Sequence, residues 1–148
     1  MPPHTPTVPT EAEFRTLLAQ GNGANVAVTS DSADDPRLRT RLIPATAAEA
    51  RAVVLATVER MPRWDVVDSV GPVLWLTRTT RLFRFVDDLY VLLEPRGEAC
   101  AILIRSASRI GESDLGQNRR NIAELWTALG RGHSIGPASG PSVPQSPR

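Results

Sequence analysis

The stretch RSASRIGESDLGQNRRNIAELW, Arg105 to Trp126, changes its hydrophobic period partway along and thereby decides the fold. Its first residues alternate after an apolar run, as side chains do in a strand. Further on, Ile122, Leu125 and Trp126 recur three and four positions apart, as on one side of a helix. Gly111 allows a sharp turn between the two patterns. We therefore predict a strand that turns into the closing helix of a small α+β domain.

The segment upstream, from Trp64 onward, consists of β-branched and aromatic runs separated by turn formers. The runs are WDVVDSV, VLWLTRTTRLFRF, LYVLLEP and ACAILIRSAS, and GP, VDD and RGE separate them. Four such runs with short connections predict an antiparallel meander. VDD places Asp87 and Asp88 at a turn, where Asp side chains hydrogen-bond to nearby backbone amides.

Two helices and one short strand are predicted ahead of the meander. Thr10 begins a capping box and a lead-in helix, and NVAVTS (Asn25–Ser30) alternates as a strand does. Residues 31–44 are predicted to be a loop. Thr46 begins a second helix, which Pro62 ends.

The order of the core elements, β-α-β-β-β-β-α, predicts an α+β fold with a single antiparallel sheet. The four-strand meander is packed by two helices on one face, and the other face is left to solvent or a partner. The order resembles the half-repeat of the TATA-binding-protein-like fold. We expect one domain over residues 11–130, with disordered proline-rich tails over 1–10 and 131–148.

The composition excludes several classes of function. The chain has 148 residues and a formal net charge of +1, so we expect neither a nucleic-acid partner nor a membrane partner. Without a targeting or membrane-spanning segment, a cytoplasmic location is expected. Cys100 is the single cysteine, so no internal disulfide forms.

The common catalytic constellations are missing from the sequence. His4 and His133 fall in or beside the predicted tails, so no histidine base can be assembled with a nucleophile. Cys100 begins an apolar strand and is expected to be a core thiol. No zinc spacing, phosphate loop or dinucleotide fingerprint is present, so we expect no metal and no cofactor.

The strand LIRSASR carries two arginines four residues apart along the chain, and their role stays open. Strand alternation places Arg105 and Arg109 on one sheet face, with Ser106 and Ser108 on the other. The two guanidinium groups could together bind one anion. They could equally pair with carboxylates from Asp87, Asp88 or Asp114 and hold the strand in place.

The closing helix has its own capping signal. Asp114 stands three residues before Gln117, as a helix N-cap does before its reciprocal partner. Free amides at a helix start suit an anionic ligand, but a capping Asp114 would occupy those donors. Arg119 and Arg120 follow in the first turns and are expected to face solvent.

FVDD at Phe85–Asp88 and IRSASRIGESDLGQNRRNI at Ile104–Ile122 together resemble the signature of the DUF1499 family. The specific part is the run RSxSRxGxSDxGxN, and the likeness covers Asn25 to Leu129. NVAVTS departs from the cysteine-bearing PNCVSS-like segment common in the family. The resemblance singles out eleven residues: Asp87, Asp88, Arg105, Ser106, Ser108, Arg109, Gly111, Ser113, Asp114, Gly116 and Asn118.

Two functions remain open at this point. The first is a non-enzymatic binding or interaction module, whose partner is a protein or a small anion. The alternative is a hydrolase acting on an anionic small molecule. It would use Asp87 or Asp88 as the base and Arg105 or Arg109 as the electrostatic clamp.

Overall fold

The fold consists of three α-helices and one antiparallel sheet of seven strands, which confirms the α+β class. The computed structural model describes residues 7–110 and 114–138. In chain order the elements are α1 (Glu11–Ala19), β1 (Val26–Val28), a 3₁₀ helix (Pro36–Leu38), β2 (Arg41–Ile43), α2 (Ala47–Glu59), β3 (Trp64–Val70), β4 (Val73–Thr79), β5 (Val86–Arg96), β6 (Ala99–Ser108), α3 (Gln117–Gly130) and β7 (Gly136–Pro137).

The predicted meander is present as β3-β4-β5-β6, each strand antiparallel to the next. The far edge of the long strand β6 is shared by two short strands. β1 pairs with residues 105–107, and β2 pairs with residues 100–102. β7 then pairs with β2. The predicted element order lacked β2 and β7, because the RLI of β2 does not alternate between polar and apolar residues and the two residues of β7 are too few to show a period.

The connection between β4 and β5 differs from the prediction. The run VLWLTRTTRLFRF was expected to be strand as far as Phe85, but β4 ends at Thr79. Asp87 and Asp88 were expected at a turn, yet both lie inside β5, opposite Arg78 and Thr77. Asp is rare in strands because its side chain competes for backbone donors. Here tertiary partners bind both carboxylates, as described below.

The starts of the first two helices follow the predicted capping boxes. The Thr10 and Thr46 hydroxyls accept from the amides of Glu13 and Glu49, at 3.2 and 3.1 Å. Each glutamate carboxylate in turn accepts a hydrogen bond from the backbone amide of its threonine. Such boxes satisfy amides that a helix start otherwise leaves free, and each contributes about 1 kcal/mol.

Helices cover both faces of the sheet rather than one. α2 and α3 pack over the face formed by Leu89, Val91 and Ile104, which we call the helix face. α1 packs on the opposite, outer face, where Phe14 is fully buried against Leu92. Burying a phenylalanine stabilises a fold by roughly 1.5–3 kcal/mol. Part of the sheet face that was expected to be open is therefore covered by α1.

The described chain extends past the predicted boundary at residue 130. Gly136 pairs with Leu42, and the amide of Ala138 donates to the Thr40 carbonyl at 2.7 Å. The rest of the predicted tails, residues 1–6 with His4 and residues 139–148, lies outside the described residues. No helix in the described ranges is long and apolar enough to cross a membrane.

Candidate functional site

The amide of Asn118, in the first turn of α3, is the centre of a buried polar network on the helix face. Its Oδ1 accepts from the Ser106 hydroxyl at 2.6 Å. Its Nδ2 lies 2.9 Å from both the Asn25 carbonyl and the Ser108 hydroxyl, and 2.6 Å from Asp114 Oδ2. One side chain thereby connects α3, β6 and the segment that leads into β1.

A second amide, that of Asn121, extends this network to β5. Its Nδ2 donates to Asp87 Oδ2 at 2.8 Å and to the Ser106 hydroxyl at 3.3 Å. Its Oδ1 accepts from Gln117 at 2.7 Å. Asp87 is only 2% exposed. We call this set the signature network: Asp87, Ser106, Ser108, Asp114, Asn118 and Asn121.

Asp114 accepts hydrogen bonds from backbone amides at the start of α3, but it is not the N-cap residue that the sequence predicted. The N-cap is Gly116, in a left-handed conformation at φ 81°, and it forms no side-chain cap. Asp114, two residues earlier, accepts from the amides of Gly116 and Asn118 at 2.8 and 3.0 Å. The amides that an anion would use at this helix start are therefore already hydrogen-bonded.

The outer face carries a separate ion pair. Arg109 donates to both oxygens of Asp88, at 2.8 and 2.9 Å, in the bidentate geometry that arginine favours. The indole of Trp75 donates to the same carboxylate at 2.9 Å. The hydrogen bond to Asp88 raises the pKa of the Arg109 guanidinium. Asp88 and Arg109 thus form an ion pair with each other on the outer face.

Arg105 lies on the same outer face but forms no ion pair with a described residue. It is half-buried opposite Tyr90 on β5, and its Nε has no hydrogen-bond partner among the described residues. Burial lowers the pKa of its guanidinium, because desolvation disfavours the charged form. Of the two arginines that were considered for binding an anion, Arg109 is already paired with Asp88, and Arg105 forms no ion pair with a described residue.

A third polar group on the helix face involves Arg78, directly opposite Asp87 in the β4–β5 pairing. Its Nη2 lies 3.2 Å from Glu124 on α3, which also accepts from the Trp64 indole at 2.7 Å. Asp87 itself forms no ion pair with any basic side chain among residues 7–110 and 114–138. The nearest arginine in register is thus directed to another carboxylate.

A pocket of about 360 Å³ opens beside the signature network, between the β4–β5 connection and the start of α3; we call it the end pocket. Its apolar lining is Phe83, Phe85, Val86, Ile110 and Leu115. Its polar lining is Thr80, Asp87, Ser108, Arg109, Asp114, Gln117 and Arg120. The size lies within the range of small-molecule sites.

The apolar wall of the end pocket is unusually open to solvent. Leu115 is 83% exposed and Phe83 69%, while Phe85 and Ile110 are about half exposed. The rings of Phe83 and Phe85 stack with their centroids 5.5 Å apart. Exposed apolar residues gathered around one pocket are typical of an interaction site, whereas isolated ones are not.

The structure brings most of the predicted site residues to one end of the sheet, on two different faces. Asp87, Ser106, Ser108, Asp114 and Asn118 are on the helix face; Asp88, Arg105 and Arg109 are on the outer face. Gly111 and Ser113 lie outside the described residues. Within the described chain, no group of three or more His, Cys, Asp or Glu side chains is placed to hold a metal ion.

Sequence reasoning missed Asn121, Phe83, Phe85 and Arg120 as site residues. Asn121 stands three positions after Asn118, on the helix side that also carries Ile122 and Leu125. A second buried amide could therefore have been inferred from this spacing. The two phenylalanines had been assigned to a strand, and no period distinguishes an exposed apolar loop from a short strand end.

Comparison with known proteins gives the same family as the RSxSRxGxSDxGxN motif indicated. Residues 8–129 match a family model described as "Protein of unknown function (DUF1499)", a longer span than the predicted likeness. No curated protein sequence matches the chain significantly. A solved structure, the crystal structure of TTHA0849 from Thermus thermophilus, is 13% identical with a TM-score of 0.32. That match covers 63% of this chain and 90% of the other.

Proposed function

Because the chain belongs to the DUF1499 family of proteins of unknown function, we propose its function from the geometry of the site. The protein is a non-enzymatic binding module that takes an apolar group of its ligand in the end pocket. The observation that carries this proposal is the exposed apolar wall beside a buried polar floor. Ligand sites commonly combine such a wall with a few fixed polar groups.

The polar residues support binding better than catalysis. The hydrolase alternative requires a base and a free electrostatic clamp. Asp88 and Arg109 bind each other in a bidentate pair, and Asp88 also accepts from Trp75. Arg105 does not line the end pocket. Asp87 is then the one predicted base that could still serve a hydrolase. Its carboxylate accepts a hydrogen bond from Asn121 and thereby links β5 to α3.

The charges around the end pocket also bear on the class of partner. The lining contains two carboxylates, Asp87 and Asp114, and two arginines, Arg109 and Arg120, so it is not the basic surface that nucleic acid or an acidic membrane requires. A small anion is less well matched than a ligand with an apolar body. The start of α3 offers it no free amide at Gly116 or Asn118, because Asp114 already occupies both.

Titration of the protein with phenethyl alcohol, a neutral apolar probe, tests this proposal by NMR or calorimetry. Replacing Phe85→Ser should weaken binding about tenfold, because most of one aromatic wall is lost. Leu82→Ser is the matched control, since Leu82 lies in the same connection and is exposed but does not line the pocket. Equal binding by wild type and Phe85→Ser would refute the site. Hydrolysis of 4-nitrophenyl phosphate, an anionic ester, that is lost in Asp87→Asn would favour the hydrolase instead.

A further inference from the structure

Asp87 is a buried carboxylate that forms no ion pair with a described residue. The side chain is almost fully buried and lines the end pocket, and its hydrogen-bonded neighbour is the neutral amide of Asn121. Burying a carboxylate is costly unless a cation pairs with it. The network therefore supplies no cation to the carboxylate at the base of the pocket.

No arginine among the described residues forms an ion pair with Asp87. Arg78 lies opposite in the pairing and binds Glu124 through Nη2, although its buried Nε has no hydrogen-bond partner among the described residues; Arg109 binds both oxygens of Asp88. Arg120 donates to the Leu115 carbonyl and to Gln117 Oε1 at the exposed rim. An exposed charge at the rim is screened by water, whereas the field of a buried one is not. The base of the pocket is therefore the place for a positive group.

We infer that the end pocket selects an organic cation, an ammonium or guanidinium group joined to an apolar body, with Asp87 as its counter-ion. This inference rests on the proposed function, because it names the ligand class of the same pocket. The cation would reach Asp87 at the base, and the apolar body would lie along Phe85 and Ile110. The stacked Phe83 and Phe85 rings add aromatic faces, which attract cations.

Three probes of similar shape test the inference: phenethylamine, phenethyl alcohol and 3-phenylpropanoate, titrated at pH 7 and low salt. The amine should bind at least about tenfold more tightly than the alcohol, because its ammonium is a charged donor to the Asp87 carboxylate, whereas the hydroxyl is a neutral one. The anion should bind most weakly.

Asp87→Asn should abolish the preference for the amine over the alcohol. Asp65→Asn is the charge control: it removes an exposed carboxylate on β3, outside the end pocket, and should keep the preference. Should Asp87→Asn fail to fold, the probe series on the wild type decides alone. The peptide Ac-Phe-Lys-NH2 tests for a protein source of the cation; tighter binding than phenethylamine would support that source.

The failures of the two proposals can be told apart. Equal binding of all three probes in the end pocket would overturn selectivity for a cation and leave the binding function standing. Binding of none of them would overturn both. Tighter binding of 3-phenylpropanoate than of the amine would also overturn the inference, because the pocket would then select an anion.

Discussion

Replacing Asn118→Ala removes the centre of the signature network and should be among the most damaging changes in the chain. The side chain is fully buried, and its amide serves four partners, at 2.6 to 2.9 Å. Its two N–H groups face three acceptors, so one hydrogen bond is shared. The substitution therefore leaves the Asn25 carbonyl, two serine hydroxyls and one oxygen of Asp114 with a lost partner.

The magnitude follows from those partners. A buried polar group that loses its partner costs about 1–3 kcal/mol. Three features reduce the sum: the two hydroxyls can rotate, the Asn25 carbonyl still accepts from the Ser108 amide, and Asp114 still accepts from two backbone amides. We expect a net loss of about 3 kcal/mol in the free energy of unfolding. Asn118→Asp should cost more, because it sets a second carboxylate against Asp114 Oδ2.

Urea denaturation followed by tryptophan fluorescence measures both variants, because Trp126 on α3 is buried and should report loss of the helix packing. Thr127→Ala, an exposed change on the same helix, is the control and should alter stability by less than about 0.5 kcal/mol. If Asn118→Ala loses less than about 1 kcal/mol, the network does not hold α3 on the sheet, and our interpretation of the signature fails.

Three further predictions concern other residues. Cys100 is fully buried and burial raises the pKa of its thiol, so Ellman's reagent should react quickly only after unfolding; rapid labelling of the native protein would contradict this burial. Hydrogen bonds from Arg37 hold the pKa of Asp35 well below its usual value of 3.8, so Asp35 stabilises the fold above that pH and loses this effect as the pH falls below it. Asp35→Asn should therefore cost up to about 1 kcal/mol at pH 7 and less at pH 3, and an equal cost at both would refute the pairing. Gly116→Ala should lower the free energy of unfolding, measured by urea denaturation, by about 1–2 kcal/mol, and Gly116→Asn should lower it less. The reason is that φ is 81° at Gly116 and an added Cβ would lie 3.3 Å from Arg120 Nη1. No loss in the alanine variant would contradict this backbone geometry.

The meander was predictable because its strands are long and rich in β-branched residues. The runs beginning at Trp64 and Ala99 have the bounds of β3 and β6. β2 was not predictable, because Arg41–Ile43 does not alternate between polar and apolar residues and pairs only through contacts distant in sequence. Short-range pattern does not contain that information.

Which residues belong to the site could be predicted from the sequence, but which of them contact each other could not. Alternation correctly separates Arg105 from Ser106, yet it cannot show that Arg109 binds Asp88 while Arg105 stays apart. The error at Asp87 has a related cause. Its place inside a strand is tolerated because Asn121, from a distant helix, hydrogen-bonds its carboxylate.

The central claim is that the signature residues hold the base of a binding pocket and are not themselves the reacting groups. The most direct measurement is a two-dimensional NMR titration of the wild-type protein with phenethylamine. Amide shifts are expected around Phe85, Asp87 and Gln117, which line the end pocket. Shifts centred instead on Arg105 and Tyr90 of the outer face, or no shifts at all, would contradict the account.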